Sequence, residues 1–142
     1  MTWLVTGGAG YIGSHVVEAL VKAGESVLVL DDFSTGVRAF VPDGVAVVEG
    51  TLRDTALVEG ALRGHNVEGV IHVAGFKFAG ISVEKPLHTY EQNVVAMMSL
   101  LEAMDRTSVT NIVFSSSSSV YGNAASGLVK EDHPFNPTSP YG

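Results

Sequence analysis

Short apolar runs alternate along this chain with longer segments of helical period, and that alternation limits the fold more than any other feature. Trp3-Leu4-Val5, Ser26 to Leu30, Val45 to Val48, Val67 to Val73 and Asn111 to Phe114 read as strands. Ser26 to Leu30 is nearly all apolar, as strands covered on both faces are. Between the first two runs, Ile12, Val16, Leu20 and Ala23 recur at steps of three and four, so a helix is predicted over Tyr11 to Ala23. Gly24 then supplies the left-handed residue that commonly ends a helix. Thr55 to Leu62 reads as a short helix. A long one is predicted to run to about Met104, with Pro86 in its first turn. Strands that alternate with helices imply a parallel sheet with right-handed crossovers. The expected fold is α/β, a doubly wound parallel sheet in one domain over 1–142.

Composition removes several functions. Lys and Arg number 8 against 15 Asp and Glu, a net charge of −7. Nucleic-acid binding needs a basic footprint, and an anionic membrane surface needs basic clusters, so neither partner is expected. There is no cysteine, which excludes disulfides, thiolate metal sites and cysteine nucleophiles. No apolar run approaches the roughly 20 residues that span a bilayer. Met1-Thr2-Trp3 opens without a basic region or a long apolar stretch, so no signal peptide is expected and a cytoplasmic location is.

The loop between the first strand and the first helix carries the strongest chemical signal. Thr6-Gly7-Gly8-Ala9-Gly10-Tyr11-Ile12-Gly13 reads G-x-x-G-x-x-G at Gly7, Gly10 and Gly13. Glycines there allow a tight turn, close approach of backbone N–H groups to a pyrophosphate, and close helix–sheet packing. The helix N-terminus adds unpaired donors and the positive end of a dipole. Asp31 ends the second strand 18 residues past Gly13, where a carboxylate hydrogen-bonds the hydroxyls of an adenosine ribose. The same charge repels a 2′-phosphate, so NAD is favoured over NADP as cofactor. Asp32 follows directly and reads either as a second cofactor contact or as a solvated loop acid.

Several words of the sequence then point to one family. The G-x-x-G-x-x-G spacing resembles the short-chain dehydrogenase/reductase superfamily, whose cofactor domain is the NAD-binding Rossmann fold. The opening Thr6 to His15 looks like the extended nucleotide-sugar enzymes, the UDP-hexose 4-epimerases in particular. So do Asp31-Asp32-Phe33-Ser34-Thr35-Gly36, His72-Val73-Ala74-Gly75-Phe76-Lys77 and Ser82-Val83-Glu84-Lys85-Pro86. Asn93, Phe114-Ser115-Ser116-Ser117, Val120-Tyr121-Gly122 and Ser139-Pro140-Tyr141-Gly142 complete the set, in the family's order.

The resemblance implies roles residue by residue. Gly7, Gly10, Tyr11, Ile12 and Gly13 would form the pyrophosphate loop, with Asp31 and Asp32 towards the ribose. Leu52 and Ser115 would also contact the cofactor. Ala74, Gly75 and Lys77 would lie along it towards the nicotinamide, and Asn93 would support that side from its helix. Ser117 and Tyr141 would be the catalytic serine and tyrosine. One departure stands out: the family's Gly-Asp after the third strand, near the adenine, is here Gly50-Thr51. The implied activity is inversion at C4 of a UDP-hexose by transient oxidation. A related uronate epimerase or decarboxylase stays open, as does an NAD-binding module without turnover. Ser117-Ser118-Ser119 carries no acid, which counts against a dehydratase.

Blander readings stand beside these. Five serines from Ser115 to Ser119 could be a linker, although β-type residues flank them on both sides. Tyr141 could be a loop tyrosine, and Ser117 a turn cap. His72 reads as a packed strand residue rather than a base, and His15 as structural. Asn123 to Pro140 reads as loop. Val94, Val95, Met97, Met98, Leu100 and Leu101 make the long helix apolar over more than one face. Sheet packing uses one stripe, and the resemblance implies a homodimer for the other. The family's activating lysine, four residues after the tyrosine, would fall beyond Gly142, and most substrate contacts with it. The chain is therefore expected to be truncated after about the fifth strand and inactive by itself. It is also expected to be prone to association through an exposed edge at Ile112-Val113-Phe114.

Overall fold

The computed structural model describes residues 1–123 and 127–142. They form two compact units, the first of residues 1–75 and 95–115, the second of residues 76–94 and 116–142.

The first unit holds one five-stranded parallel sheet. Its strands are β1 (Thr2–Thr6), β2 (Ser26–Asp31), β3 (Ala46–Glu49), β4 (Gly69–His72) and β5 (Asn111–Phe114), in spatial order β3-β2-β1-β4-β5. Order reverses beside β1, where chain direction moves from one edge to the other. Helix α1 (Tyr11–Lys22) covers one face: Val16, Val17 and Leu20 pack with Val5, Val29, Val47 and Ile71. On the other face, Leu4, Leu28, Leu30 and Val70 meet Val58 and Leu62 of α2 (Thr55–Gly64) and Leu100 and Met104 of α5 (Ala96–Thr107). Neighbouring strand residues point to opposite faces, so Leu4 and Val5 serve different helices. This is the doubly wound sheet expected from the alternation.

Strand positions match the sequence reading with small shifts. The fourth strand is shorter than Val67 to Val73. Val67 instead closes the end of α2, its N–H donating to the Leu62 carbonyl at 3.0 Å. Between β2 and β3 the chain makes only a short 3₁₀ turn, Arg38–Phe40. β5 is an edge strand with Val113 and Phe114 more than half exposed, as expected of that segment.

The second unit contains α3 (Ala79–Glu84), α4 (Pro86–Tyr90) and a 3₁₀ turn, Ser118–Tyr121. The long helix predicted from Pro86 is not continuous α-helix. Residues Glu91–Val95 adopt a π turn before α5 begins, and the division between units falls inside it. The later serines of the run cap and enter the 3₁₀ turn, with Ser117 Oγ accepting from the Ser119 N–H at 3.2 Å. Part of the expected loop, 124–126, lies outside the described residues.

Candidate dinucleotide and catalytic site

The glycine loop is shaped by contacts that a side chain would block. Gly7 has φ +68°, and a Cβ there would sit 2.8 Å from both N and Cα of Ala74. The loop after β4 is thereby packed directly on the loop after β1. A Cβ on Gly13 would run into the Gly7 carbonyl oxygen, so α1 starts flush against the turn. Gly10 precedes the helix as its N-cap. Among the described residues no side chain caps that end, and its first turn holds no acid. Tyr11 and Ile12, in the first turn, are 74% and 59% exposed. The N–H groups that open an α-helix have no partner within it, and together with the helix dipole such an end suits an anion.

Asp31 joins this loop to the end of β2. It is buried, and one carboxylate oxygen accepts the Ala9 N–H at 2.9 Å. The other accepts the Phe33 N–H at 2.9 Å. An ionised carboxylate offers about four acceptor positions. Two are used inside the chain, which leaves acceptor capacity for two hydroxyls of a ribose. The loop beyond β2 folds back as well, the Val37 N–H donating to the Ala9 carbonyl at 2.9 Å. Asp32 is exposed and turned on its own segment, accepting from Ser34 N–H at 2.9 Å and Ser34 Oγ at 2.6 Å. Its geometry is that of the solvated loop acid.

Thr6 and His72 brace the C-terminal ends of β1 and β4. Thr6 Oγ1 lies 2.7 Å from His72 Nδ1 and accepts the Val73 N–H at 3.3 Å. The His72 carbonyl accepts the Ser115 N–H at 3.0 Å. Its ring stacks on Phe114, with centroids 5.7 Å apart. Burial pushes the His72 pKa down to about 4, so the imidazole is neutral at pH 7. It is a packed strand residue, as read from the sequence. Sequence reading misses Thr6, because a threonine ending a strand has no pattern of its own.

Leu52 and Thr51 both meet competing demands. Leu52 is 6% exposed and its side chain belongs to the apolar core, which leaves only its backbone for a cofactor contact. Thr51, in the place of the family's acid, turns its hydroxyl to Arg53, whose N–H and Nε both donate to it at 3.3 Å. Ser115 is exposed at the end of β5, and Gly75 is exposed after Ala74.

In the second unit, Asn93 grips the backbone of Phe76. Its Oδ1 accepts the Phe76 N–H at 2.7 Å and its Nδ2 donates to the Phe76 carbonyl at 3.0 Å. This fixes the segment that carries the exposed Lys77. Ser117 heads the 3₁₀ turn and Tyr141 is half-buried. The two segments are packed together: a Cβ on Gly142 would lie 2.6 Å from the Ser119 carbonyl oxygen and 3.0 Å from Pro137 Cβ. Asn136 N–H donates to the Val120 carbonyl at 3.0 Å, pinning the returning chain to the same turn. Among the described residues no group of acidic and histidine side chains could hold a metal.

Comparison with known proteins adds to this geometry. The model of the NAD dependent epimerase/dehydratase family matches residues 3–142. The UDP-glucose 4-epimerase of Lactobacillus helveticus is 46% identical over all 142 residues, which cover 43% of that protein. The crystal structure of the Thermus thermophilus UDP-glucose 4-epimerase, solved with NAD, superposes with a TM-score of 0.94 at 42% identity. It aligns with 99% of this chain and 46% of its own. That of the Bifidobacterium longum enzyme with NAD+ and UDP gives 0.93 at 35% identity, covering 99% and 44%. The chain thus spans less than half the length of the relatives it matches.

Proposed function

This chain belongs to the NAD dependent epimerase/dehydratase family, and from that premise we propose that it is the cofactor-binding part of a UDP-hexose 4-epimerase. The observation that carries the reading is Asp31. Its carboxylate is buried against the glycine loop with two acceptor positions spent on Ala9 and Phe33 and the rest available. With the uncapped first turn of α1 and the side-chain-free approach at Gly7 and Gly13, the residues present fit NAD. Gly7, Gly10, Tyr11, Ile12 and Gly13 would take the pyrophosphate, and Asp31 the ribose. Ala74, Gly75, Lys77 and Asn93 are proposed for the nicotinamide side, with Asn93 acting through Phe76.

When bound, NAD supplies the capacity to accept and return a hydride. The chain's own part is to orient the sugar and move one proton. Tyr141 Oη is proposed to take the proton of the sugar 4-hydroxyl and to give it back after the sugar has turned. A free phenol has a pKa near 10 and is a poor base at pH 7. A neighbouring positive charge favours the phenolate, and the family's lysine four residues after the tyrosine would supply one. The Ser117 hydroxyl would hydrogen-bond the reacting oxygen and hold it in line. The partner is a UDP-hexose, and the parent is proposed to be a homodimer. The exposed apolar side chains of Val95, Met98 and Leu101 support that assembly.

Titration of the full-length apoprotein with NAD by calorimetry tests the cofactor part. Saturable binding is expected, and Asp31→Ala should weaken it about tenfold or more, since hydrogen bonds to a charged group contribute about 1.5–3 kcal/mol each. Undiminished affinity in Asp31→Ala would remove Asp31 from the site.

A further inference from the structure

Ser82 is completely buried in α3. Its hydroxyl makes two bonds whose directions are settled by their partners. Oγ donates to the Ala79 carbonyl at 2.6 Å, because a carbonyl can only accept. It accepts the Tyr141 N–H at 3.1 Å, because an amide N–H can only donate. A serine that merely returned its proton to the carbonyl three residues earlier would satisfy itself within the helix. The second bond reaches 59 residues along the chain to the backbone of the proposed catalytic tyrosine. Gly142 N–H donates to Ser139 Oγ at 3.2 Å, and the Gly142 backbone lies on the Ser119 carbonyl. The peptide of Tyr141 is therefore held from α3 on one side and from the Ser117–Ser119 turn on the other.

We propose that Ser82 is a positioning residue for Tyr141, fixing the tyrosine's main chain so that its phenol stays in register with Ser117. The inference rests on the reading of Tyr141 as the proton-transfer residue. A tyrosine carries its oxygen on a rigid ring with only two rotatable bonds, so a shift of its Cα is passed on to the oxygen. Misplacement of about 1 Å can cost on the order of a hundredfold in rate. The loss falls on the chemical step, because Ser82 touches neither sugar nor cofactor in this proposal. Replacement by alanine leaves the Tyr141 N–H without its acceptor, and replacement by threonine keeps the hydroxyl.

The test uses the full-length protein with UDP-galactose as substrate, comparing Ser82→Ala, Ser82→Thr and Tyr141→Phe with the parent. Ser82→Ala should lower kcat about tenfold or more, leave KM and NAD retention within about twofold, and shift the acidic limb of the kcat–pH profile. Ser82→Thr should recover most of kcat. Should Ser82→Ala not fold, Ser82→Cys, near-isosteric and a weak acceptor, makes the same comparison. A parental kcat and pH profile in Ser82→Ala beside an inactive Tyr141→Phe would overturn the inference alone. So would equal losses in Ser82→Ala and Ser82→Thr, which would show packing rather than the hydroxyl to be at work. Full turnover by Tyr141→Phe would overturn both the reading of Tyr141 and the inference built on it.

Discussion

Every buried apolar side chain among the described residues lies in the sheet-bearing unit, whereas the side chains buried in the unit of Tyr141 are two hydroxyls, Ser82 and Thr89. The first unit follows the ordinary logic of burial: strands alternate their side chains to two faces and helices cover both. The second is specified by side-chain bonds to backbone. Ser82 reaches Ala79 and Tyr141, Thr89 Oγ1 donates to the Lys85 carbonyl at 3.2 Å, and Asn93 grips Phe76. Apolar burial tolerates variation in detail, since it is nondirectional. A hydrogen bond fixes a particular atom. The difference suits the proposed division between a stable scaffold and a catalytic tyrosine that must be placed.

The largest expected effect lies in the core. Leu100 is fully buried between α5 and the sheet, and Leu100→Ala should cost about 2–5 kcal/mol of stability in denaturant titrations. A loss below about 1 kcal/mol would mean that the sheet-bearing unit does not depend on that packing.

The next effect concerns one of the buried polar groups of the same unit, the His72–Thr6 pair. Folding holds the His72 pKa at about 4, against 6.5 for an unburied imidazole. Between those values the unfolded chain binds a proton that the folded chain refuses. Stability is therefore level above pH 6.5 and falls as pH drops towards 4, by roughly 3 kcal/mol at about 1.4 kcal/mol per pH unit. Unfolding midpoints measured at about pH 7.5 and about pH 4.5 should differ accordingly, and His72→Asn should flatten the dependence in that window. An unchanged slope in the variant would place the titrating group elsewhere.

The smallest effect on stability lies at the edge. Val113 is 55% exposed on β5, so Val113→Lys should change stability by less than about 0.5 kcal/mol while a charge on the edge opposes strand pairing between chains. Light scattering of the 142-residue chain should show less association in the variant. Equal association would exonerate that edge.

The two units also differ in how far they can be read from the sequence. The doubly wound sheet, the glycine loop and Asp31 follow from period and spacing, because Leu4, Val5, Leu28 and Val29 sort to faces by burial alone. The helix α3 gives no such signal: six residues, with Gly80 among them, are too few for a 3.6 period. The π turn at Glu91–Val95 inserts a widened turn without altering composition, so the apolar pattern from Pro86 reads as one helix. Ser117 and Tyr141 are legible only through resemblance, since a serine among serines and a loop tyrosine carry no physical mark. Ser82 and Thr6 are invisible in their roles, because a partner 59 or 66 residues away is set by the fold.

In the function proposed above, this chain holds NAD and the proton-transfer tyrosine of a UDP-hexose 4-epimerase. The most direct measurement offers the full-length protein UDP-galactose and UDP-galacturonate in parallel and follows the products by NMR. Conversion of UDP-galactose to UDP-glucose is expected. Conversion of the uronate alone, or of neither sugar by protein that retains NAD, would contradict the proposed function.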